Sequence, residues 1–338
     1  MAKTQKLHPK TFGDWAHLAV KKHFQKTIKH ETDVLKDRDP EALHQMRVGM
    51  RRLRTAVTGF APALSLPNAA QERKIAKIAR QLGELRDLDV LQDALQNQYL
   101  PALPTPEQQA LKKVLATLEK QRKKTLEQVQ TTLKDEKYHK LKRAFKDWLE
   151  QPTYGEFAEI SIYDILPDLL LPPVSHLLLH PAWLLGIKLE AGKIAVPIPV
   201  TSDMVEQLLN VHGDKLHSLR KQAKRVRYQM ELFTDFYGSP YEDYLEDIKD
   251  IQSILGHIQD SFVLAEFLTT TLGSEATVQL PTLATQLTEA RYQAWHEWRS
   301  LQHRYLKPET RQGLHQAILK PVSTTGQGTT KERKEEEE

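Results

Sequence analysis

The chain has no cysteine among its 338 residues. This absence excludes disulfide bonds, thiolate nucleophiles and zinc sites built from thiolates, and it is typical of proteins in a reducing compartment. Glycine is also scarce, with 14 residues, and few of them interrupt the segments of helical periodicity. The N-terminal sequence MAKTQKLHPKTFGDW lacks the apolar stretch of a secretory signal peptide.

Long hydrophobic runs are missing as well. The most apolar segment, ILPDLLLPPVSHLLLHPAWLLG at 165–186, contains Asp168, two histidines and four prolines. A membrane-spanning helix needs about 20 predominantly apolar residues, so we predict that this segment does not cross a membrane. The expectation is a soluble, cytoplasmic protein without a membrane partner.

The pattern of apolar residues predicts an all-α fold. Prolines and Gly238 separate the periodic segments, as expected at helix ends. The predicted helices cover residues 10–37, 40–60, 69–98, 106–134, 136–150, 202–236, 240–271 and 281–306.

Two segments differ from this pattern. Residues 152–201 hold seven prolines, and the alternating stretch GIKLEAGKIAVPI predicts a small β-hairpin that turns at Ala191-Gly192. The small, polar and finally acidic tail, 321–338, is predicted to be disordered. We therefore predict one domain over 1–320, with helical halves at 10–151 and 202–306 and an insertion at 152–201.

An internal repeat relates the two halves. LHQMRVGMRRLRTAVTGF at 43–60 aligns with LHSLRKQAKRVRYQMELF at 216–233, and six of eighteen positions are identical. At the same offset, residues 75–95 align with 248–268 and share eight of twenty-one positions, including Gly83/Gly256 and Asp87/Asp260. About two or three matches in total are expected from residue frequencies, so the repeat indicates a tandem duplication of a helical unit.

Each copy of the repeat carries a basic helix face. At about 100° per residue, the basic positions fall within an arc of roughly 80°, and Arg52 and Arg225 flank it. An apolar stripe lies about 140° away on each helix. The basic positions are His44, Arg47, Arg51 and Arg54 in the first copy and His217, Arg220, Lys224 and Arg227 in the second.

Carboxylates are absent from both segments, since no Asp or Glu occurs at 42–71 or at 215–230. A solvated helix face normally mixes charges of both signs and gains ion pairs between neighbouring turns. Arginine forms bidentate, charge-assisted hydrogen bonds with phosphate, and histidine adds a further donor. The two faces therefore predict a site for a phosphate-bearing anion, with Arg86 as a weaker candidate because its counterpart is Gln259.

The sequence gives little support to a metal or nucleotide site. GIKLEAGKI at 186–194 lacks the spacing and the final Ser or Thr of a phosphate-binding loop. His176 and His180 are spaced as metal ligands but have no evident third ligand. Asp87 and Asp260 occupy equivalent positions in separate repeats, so a contact with a partner helix or with a nearby arginine is the expected use of each. We predict no metal and no cofactor.

The motifs LHxxR…RRLR and LHxxR…KRVRY, each followed by a helix with LG…D…VL, resemble the CHAD domain, the histidine-containing α-helical domain. The resemblance covers about residues 10–306. It implies two pseudo-symmetric four-helix halves around a basic central groove that binds inorganic polyphosphate, lined by the basic positions of both copies together with Arg52 and Arg225. It also implies a cytoplasmic location, which includes association with polyphosphate granules. Some members carry a triphosphate-hydrolysing CYTH domain, whose ExExK signature this sequence lacks.

Non-enzymatic polyphosphate binding is therefore the expected function, and two alternatives stay open. A nucleic acid presents the same phosphates, although only Tyr228 borders a basic face to stack on bases. An enzyme that processes polyphosphate or triphosphate would need metal ligands from the insertion, for which Asp164, Asp168 and Glu190 are the candidates.

Overall fold

The computed structural model describes residues 9–190, 193–194 and 201–322, and the fold is all-α as predicted. The helices are α1 (Phe12–Lys29), α2 (Glu31–Lys36), α3 (Pro40–Gly59), α4 (Glu72–Asp93), α5 (Thr105–Lys134), α6 (Glu136–Glu150), α7 (Ile162–Leu178), α8 (Ser202–Leu232), α9 (Ser239–Leu272), α10 (Ala276–Gln279), α11 (Pro281–Leu306) and α12 (Pro308–Ile318).

Polar caps set the beginning of several helices. Thr11 accepts a hydrogen bond from the N–H of Asp14 at 3.2 Å, and the Asp14 carboxylate accepts one from the N–H of Thr11 at 3.1 Å. This reciprocal pair satisfies two backbone donors that a helix start leaves free. At the start of α3, the Asp39 carboxylate accepts one hydrogen bond from the N–H of Glu41 at 2.8 Å, and Pro40 occupies the first helical position. Such local signals explain why most predicted boundaries lie within a few residues of those observed.

Helix α7 lies inside the predicted insertion at 152–201, in a segment for which no helix was predicted. Pro167, Pro172 and Pro173 lie inside this helix, whose apolar face is buried against α8 and α12. Because Pro173 has no N–H, the carbonyl of Leu169 loses its intrahelical donor. The side chain of Gln229 in α8 donates to that carbonyl at 2.8 Å. Tertiary packing and this replacement hydrogen bond offset the helix-breaking effect of proline.

The predicted hairpin lies only partly within the described residues. Leu189–Glu190 and Lys193–Ile194 form two short antiparallel strands, β1 and β2, in which Leu189 pairs with Ile194. The predicted turn at Ala191-Gly192 lies outside the described residues. The predicted disordered tail does so too from residue 323 onwards.

Helix α7 also bears on the membrane prediction. The stretch Ile162–Leu184 is long and apolar enough, by length and composition, to span a membrane; its mean hydropathy is 1.3 and 39% of the window is buried. Pro167, Pro172 and Pro173 do not interrupt α7, contrary to the prediction from sequence, although the α-helix ends at Leu178. A soluble, cytoplasmic protein without a membrane partner therefore stays a prediction.

The helices pack in sequence order. Helix α3 lies between α1 and α4, and α4 packs on α5; helix α8 lies between α7 and α9, and α9 packs on α11. Helix α12, beyond the last predicted helix, covers α7, α9 and α11. An antiparallel β-bridge joins Thr11, which precedes α1, to Ser161, which precedes α7. The main core runs through both sets of helices, the first from α1 to α6 and the second from α7 to α12.

The two sets of helices meet in two places. Helices α3 and α8 contact each other directly within the main core. A second core joins α5 to α9 and α11, where Leu111 and Val114 pack with Leu268 and Leu283. There the buried carboxylate of Glu107 accepts hydrogen bonds from the first N–H groups of α11, 3.1 Å from Thr282 N and 3.3 Å from Leu283 N. A carboxylate at a helix N-terminus is stabilised by the helix dipole.

Gly49 provides a test of the α1–α3 contact. A Cβ at Gly49 would lie 2.8 Å from Thr27 Oγ1 and 3.0 Å from Thr27 Cα, so Gly49→Ala should destabilise the fold by about 1 to 3 kcal/mol. Gly213, inside α8, has nothing within 4 Å of its Cβ position, and Gly213→Ala should stabilise the helix by about 0.5 to 1 kcal/mol. Urea unfolding followed by circular dichroism measures both changes, and equal effects would contradict close packing at Gly49.

Candidate anion-binding site

The repeated basic helices become α3 and α8, which lie against each other. Their predicted apolar stripes are buried in the main core, which fixes the rotation of each helix about its axis. These stripes consist of Met46, Met50, Leu53 and Val57 in α3 and of Leu219, Ala223, Val226 and Met230 in α8. The rotation leaves Arg47 and Arg51 of α3, with Arg220 and Lys224 of α8, half-buried at the edge of this contact.

These four residues form what we call the central cluster. Burial and, to a lesser extent, the charges of Arg47, Arg220 and Arg51 together lower the pKa of Lys224 to about 8, against the opposing effect of Asp87. Like charges act on an ammonium in this manner only at close range. The cluster therefore combines cations from both repeats in one place.

Tyr228 holds one member of the cluster in position. The guanidinium carbon of Arg51 lies 4.2 Å from the centroid of the Tyr228 ring, a cation–π contact from α3 to α8. Arg227 lies on the same ring at 5.6 Å. Sequence reasoning noted Tyr228 only as an aromatic at the edge of a basic face, because a contact between two repeats leaves no local signal.

Two aspartates on neighbouring helices orient the arginines, as expected. Asp87 of α4 lies 3.6 Å from Arg47, and Asp260 of α9 lies 3.5 Å from Arg220. Both carboxylates are well exposed, at 74% and 68%, so the ion pairs are loose and screened by water. A displaced aspartate can return to solvent when another anion approaches its arginine.

Glycines on the same two helices make room for these arginines. The Cβ position of Gly83 lies 3.7 Å from Arg47 Nε, and that of Gly256 lies 3.3 Å from Arg220 Nε. A larger side chain at either glycine would push the guanidinium away. The identity of Gly83 and Gly256 in the repeat is a sequence feature from which this close packing could have been predicted.

The outermost basic position of each repeat already has a carboxylate partner. Arg54 pairs with Glu72 at the start of α4, and Arg227 pairs with Glu231 at 2.8 Å. Both acids lie just beyond the acid-free segments of the sequence. Arg54 and Arg227 are therefore partly neutralised and flank the central cluster instead of belonging to it.

Arg52 and Arg225 are exposed and lie outside the cluster. Arg52 faces α1, where its charge adds to burial in lowering the pKa of His23 to about 4. The part of these two residues in binding stays a prediction.

The two repeat histidines are half-buried beside the cluster. Burial lowers the pKa of His44; Glu41 opposes this, while Arg86, Arg47 and Arg51 add to it. Burial also lowers the pKa of His217, with Lys221 and Arg220 adding to it. Arg86 thus lies close enough to His44 to extend the basic surface on the side of α3.

Within the described part of the chain, three nitrogen atoms in or beside the central cluster lack a hydrogen-bond partner. The Nε atoms of Arg51 and Arg220 and the Nδ1 of His217 are buried and have no hydrogen-bond partner among the described residues. Buried donors are normally satisfied, and guanidinium groups donate best to phosphate and carboxylate oxygens. The cluster can therefore accept an oxyanion that supplies the missing acceptors.

The candidate metal ligands of the sequence analysis lie elsewhere. The Nδ1 of His180 accepts a hydrogen bond from the N–H of Ala182 at 3.2 Å, so its Nε2–H donates to Ser218 Oγ at 3.1 Å. Asp164 and Asp168 are exposed on α7, and the side chain of Glu190 lies outside the described residues. Across 9–188 and 201–322, no group of three His, Asp or Glu side chains is arranged to hold a metal ion.

Comparison with known proteins agrees with this arrangement of helices. The sequence model of the CHAD domain family matches residues 18–269. Two uncharacterized proteins of Mycobacterium tuberculosis, from strains CDC 1551 and H37Rv, are 25% identical over 263 residues, which is 77% of this chain and 46% of theirs. The chain thus spans about half the length of these curated relatives.

Two solved structures share the fold. The crystal structure of the CHAD domain from the plant Ricinus communis has a TM-score of 0.55 at 22% identity and covers 94% of this chain and 96% of its own. PptA from Streptomyces chartreusis has a TM-score of 0.58 at 13% identity and covers 87% of this chain and 99% of its own. At these identities the similarity concerns the fold alone.

The repulsion inside the central cluster predicts that Lys224 destabilises the folded protein, and that this destabilisation depends on pH. Its folded pKa of about 8 lies below the ordinary value of 10.5, so above pH 8 the unfolded chain binds more protons and stability rises with pH. Lys224→Met should raise the free energy of unfolding at pH 7 by about 1 to 2 kcal/mol, after allowance for solvent screening. This gain should shrink as the pH approaches 10. Urea unfolding between pH 7 and 9.5 tests it, with exposed Lys221→Met as the control; a pH-independent gain would contradict the assignment.

Proposed function

The chain belongs to the CHAD domain family, and on this premise we propose that it is a non-enzymatic module that binds inorganic polyphosphate in a groove shared by α3 and α8. The observation that carries the proposal is the central cluster, in which cations from both repeats meet with unsatisfied donors.

Polyphosphate fits the chemistry of this cluster. It is a flexible chain whose repeating units differ little, so a binder needs many phosphate contacts and no groups that read bases. The planar forks of Arg47, Arg51 and Arg220 suit phosphate oxygens. The loose ion pairs of Asp87 and Asp260 can open, so that phosphates replace carboxylates next to the arginines.

A shared groove with pseudo-twofold symmetry is supported by equivalent contacts in the two repeats. Arg47 lies beside Gly83 and Asp87, and Arg220 lies beside Gly256 and Asp260. The bridge between Thr11 and Ser161 places the starts of α1 and α7 side by side. On this interpretation α7 is the counterpart of α1, and the second half begins at α7 instead of at residue 202.

Nucleic acid is the less favoured ligand. Base stacking requires a free aromatic face, and the ring of Tyr228 already carries the guanidinium of Arg51 at 4.2 Å. The processing of polyphosphate by an enzyme is the other alternative, and it would require catalytic groups beside the bound phosphates. The acids nearest the cluster, Asp87 and Asp260, are paired with arginines, which favours binding over catalysis.

A competition experiment tests the proposed function. We expect long-chain polyphosphate to bind with micromolar or tighter affinity and to displace single- and double-stranded nucleic acid at equal phosphate concentration. Affinity should fall on the order of 10- to 100-fold between about 50 and about 200 mM salt, because about four contacts release condensed counterions. Preferential binding of nucleic acid, or release of orthophosphate in the presence of magnesium or manganese, would contradict the proposal.

Removal of one basic face tests whether the groove is shared. Arg47→Ala with Arg51→Ala should lower affinity for long chains at least about tenfold even though Arg220 and Lys224 remain, because a long chain tethers both faces. The loss for tripolyphosphate should be smaller. Titration calorimetry gives both affinity and stoichiometry.

The matched control removes the same charge from the same helix. Arg52→Ala with Arg54→Ala deletes two arginines that lie outside the central cluster, so its effect should stay below about threefold. Two independent sites would instead give half the stoichiometry and unchanged affinity in the Arg47, Arg51 variant, and that result would refute the shared groove.

A further inference from the structure

One member of the central cluster differs chemically from the others. Lys224 aligns with Arg51 in the repeat, so a primary amine stands where the first copy has a guanidinium. A guanidinium keeps its proton throughout the physiological range, whereas an amine can lose it and become a nucleophile. The cluster therefore places a single amine among groups that bind phosphate.

We propose that Lys224 is a site of covalent acylation by acyl phosphates, with Arg47, Arg51 and Arg220 holding the phosphate while the amine attacks the acyl carbon. The proposal rests on the same anion-binding cluster as the proposed function. It adds a substrate class and a chemical step at that site.

The reaction needs no further co-reactant. The lone pair of the unprotonated Nζ forms a bond to the carbonyl carbon of the acyl phosphate, and the bond from that carbon to the bridging oxygen breaks. The oxygen leaves with its electron pair as phosphate, which takes up a proton lost from the nitrogen. The products are an N-acyl lysine and hydrogen phosphate. The arginines stabilise the charge that develops on the departing phosphate.

The surroundings of Lys224 favour both the free amine and the bound phosphate. Its charged neighbours are Arg47 and Arg51 of α3, Arg220 of α8 and, as the opposing charge, Asp87 of α4. No carboxylate forms an ion pair with Lys224 in the part of the chain that the structure describes. With a pKa of about 8, a substantial fraction of this amine is unprotonated near neutral pH.

Acylation would also change the site itself. An N-acyl lysine is neutral, so the modification removes one of the four cations of the central cluster. The affinity for a polyanion should fall as it does for Lys224→Gln, while Lys224→Arg should preserve it and resist acylation. Acyl phosphates would thereby regulate occupancy of the groove.

Acetyl phosphate is the probe for the first measurement, with peptide mapping by mass spectrometry as the readout. The exposed Lys221, on the same helix, is the internal reference. At pH 7.5 the unprotonated fraction of Lys224 exceeds that of an ordinary lysine by a factor on the order of 100. Reduced nucleophilicity, which falls with basicity as it does in thiols, lowers the expected rate ratio to about tenfold.

A phosphate-free donor separates recognition from general reactivity. With an N-hydroxysuccinimide ester of acetic acid, the ratio of Lys224 to Lys221 should be several-fold lower than with acetyl phosphate, since the arginines then have no phosphate to hold. Equal rates at the two lysines with acetyl phosphate, or the same ratio with both donors, would overturn the proposal.

Variants test the role of the arginines. Arg51→Gln should reduce the ratio measured with acetyl phosphate, whereas Arg225→Gln, on the exposed side of α8, should leave it unchanged; equal effects would count against the proposal. The two wild-type measurements decide the question even if Arg51→Gln fails to fold. If polyphosphate binds but Lys224 is not preferred, this inference alone fails. If the preference holds without polyphosphate binding, the proposed function fails.

Discussion

Repulsion among half-buried cations is the constraint on which the rest of this site depends. Arg47, Arg51, Arg220 and Lys224 are held together because the opposite sides of α3 and α8 are anchored in the core by residues such as Met50 and Met230, which are fully buried. The hydrophobic burial of these anchors offsets the electrostatic cost of the cluster. A cluster stabilised in this way keeps its geometry without a ligand, so an incoming anion gains the relief of repulsion without having to order the protein.

The neighbouring carboxylates determine where positive charge remains unbalanced. Glu72 and Glu231 pair closely with the outer arginines, and these pairs limit the unbalanced charge to the centre of the α3–α8 contact. Asp87 and Asp260 pair at 3.5 to 3.6 Å from exposed positions, so water competes with them. Tight pairs at the edge and loose pairs at the centre concentrate the unbalanced positive charge at the centre, although the chain has a net charge of only +4.

Much of this arrangement follows from sequence, and the exceptions have physical causes. Helical periodicity and the prolines between the periodic segments predicted the helices, and the duplicated motif placed Arg47, Arg51, Arg220 and Lys224 among the basic positions of both copies. Helix α7 was missed because tertiary packing and Gln229 offset its prolines. The partners of Arg54 and Arg51 were missed because Glu72 and Tyr228 come from other helices. A pattern read along one segment cannot show what the next helix places against it.

The difference between Arg51 and Lys224 has a structural reason of its own. Arg51 stacks its flat guanidinium on Tyr228, an arrangement for which a lysine is less suited. The repeat aligns Tyr228 with Thr55, whose hydroxyl donates to the carbonyl of Arg51 at 3.1 Å. The first copy therefore offers no aromatic ring at the equivalent position, and Lys224 has no corresponding ring on which to stack. The two repeats therefore differ at two related positions. Arg51 aligns with Lys224, and Tyr228, the ring on which Arg51 stacks, aligns with Thr55. At this one pair of equivalent positions, the charge is therefore permanent on α3 and titratable on α8.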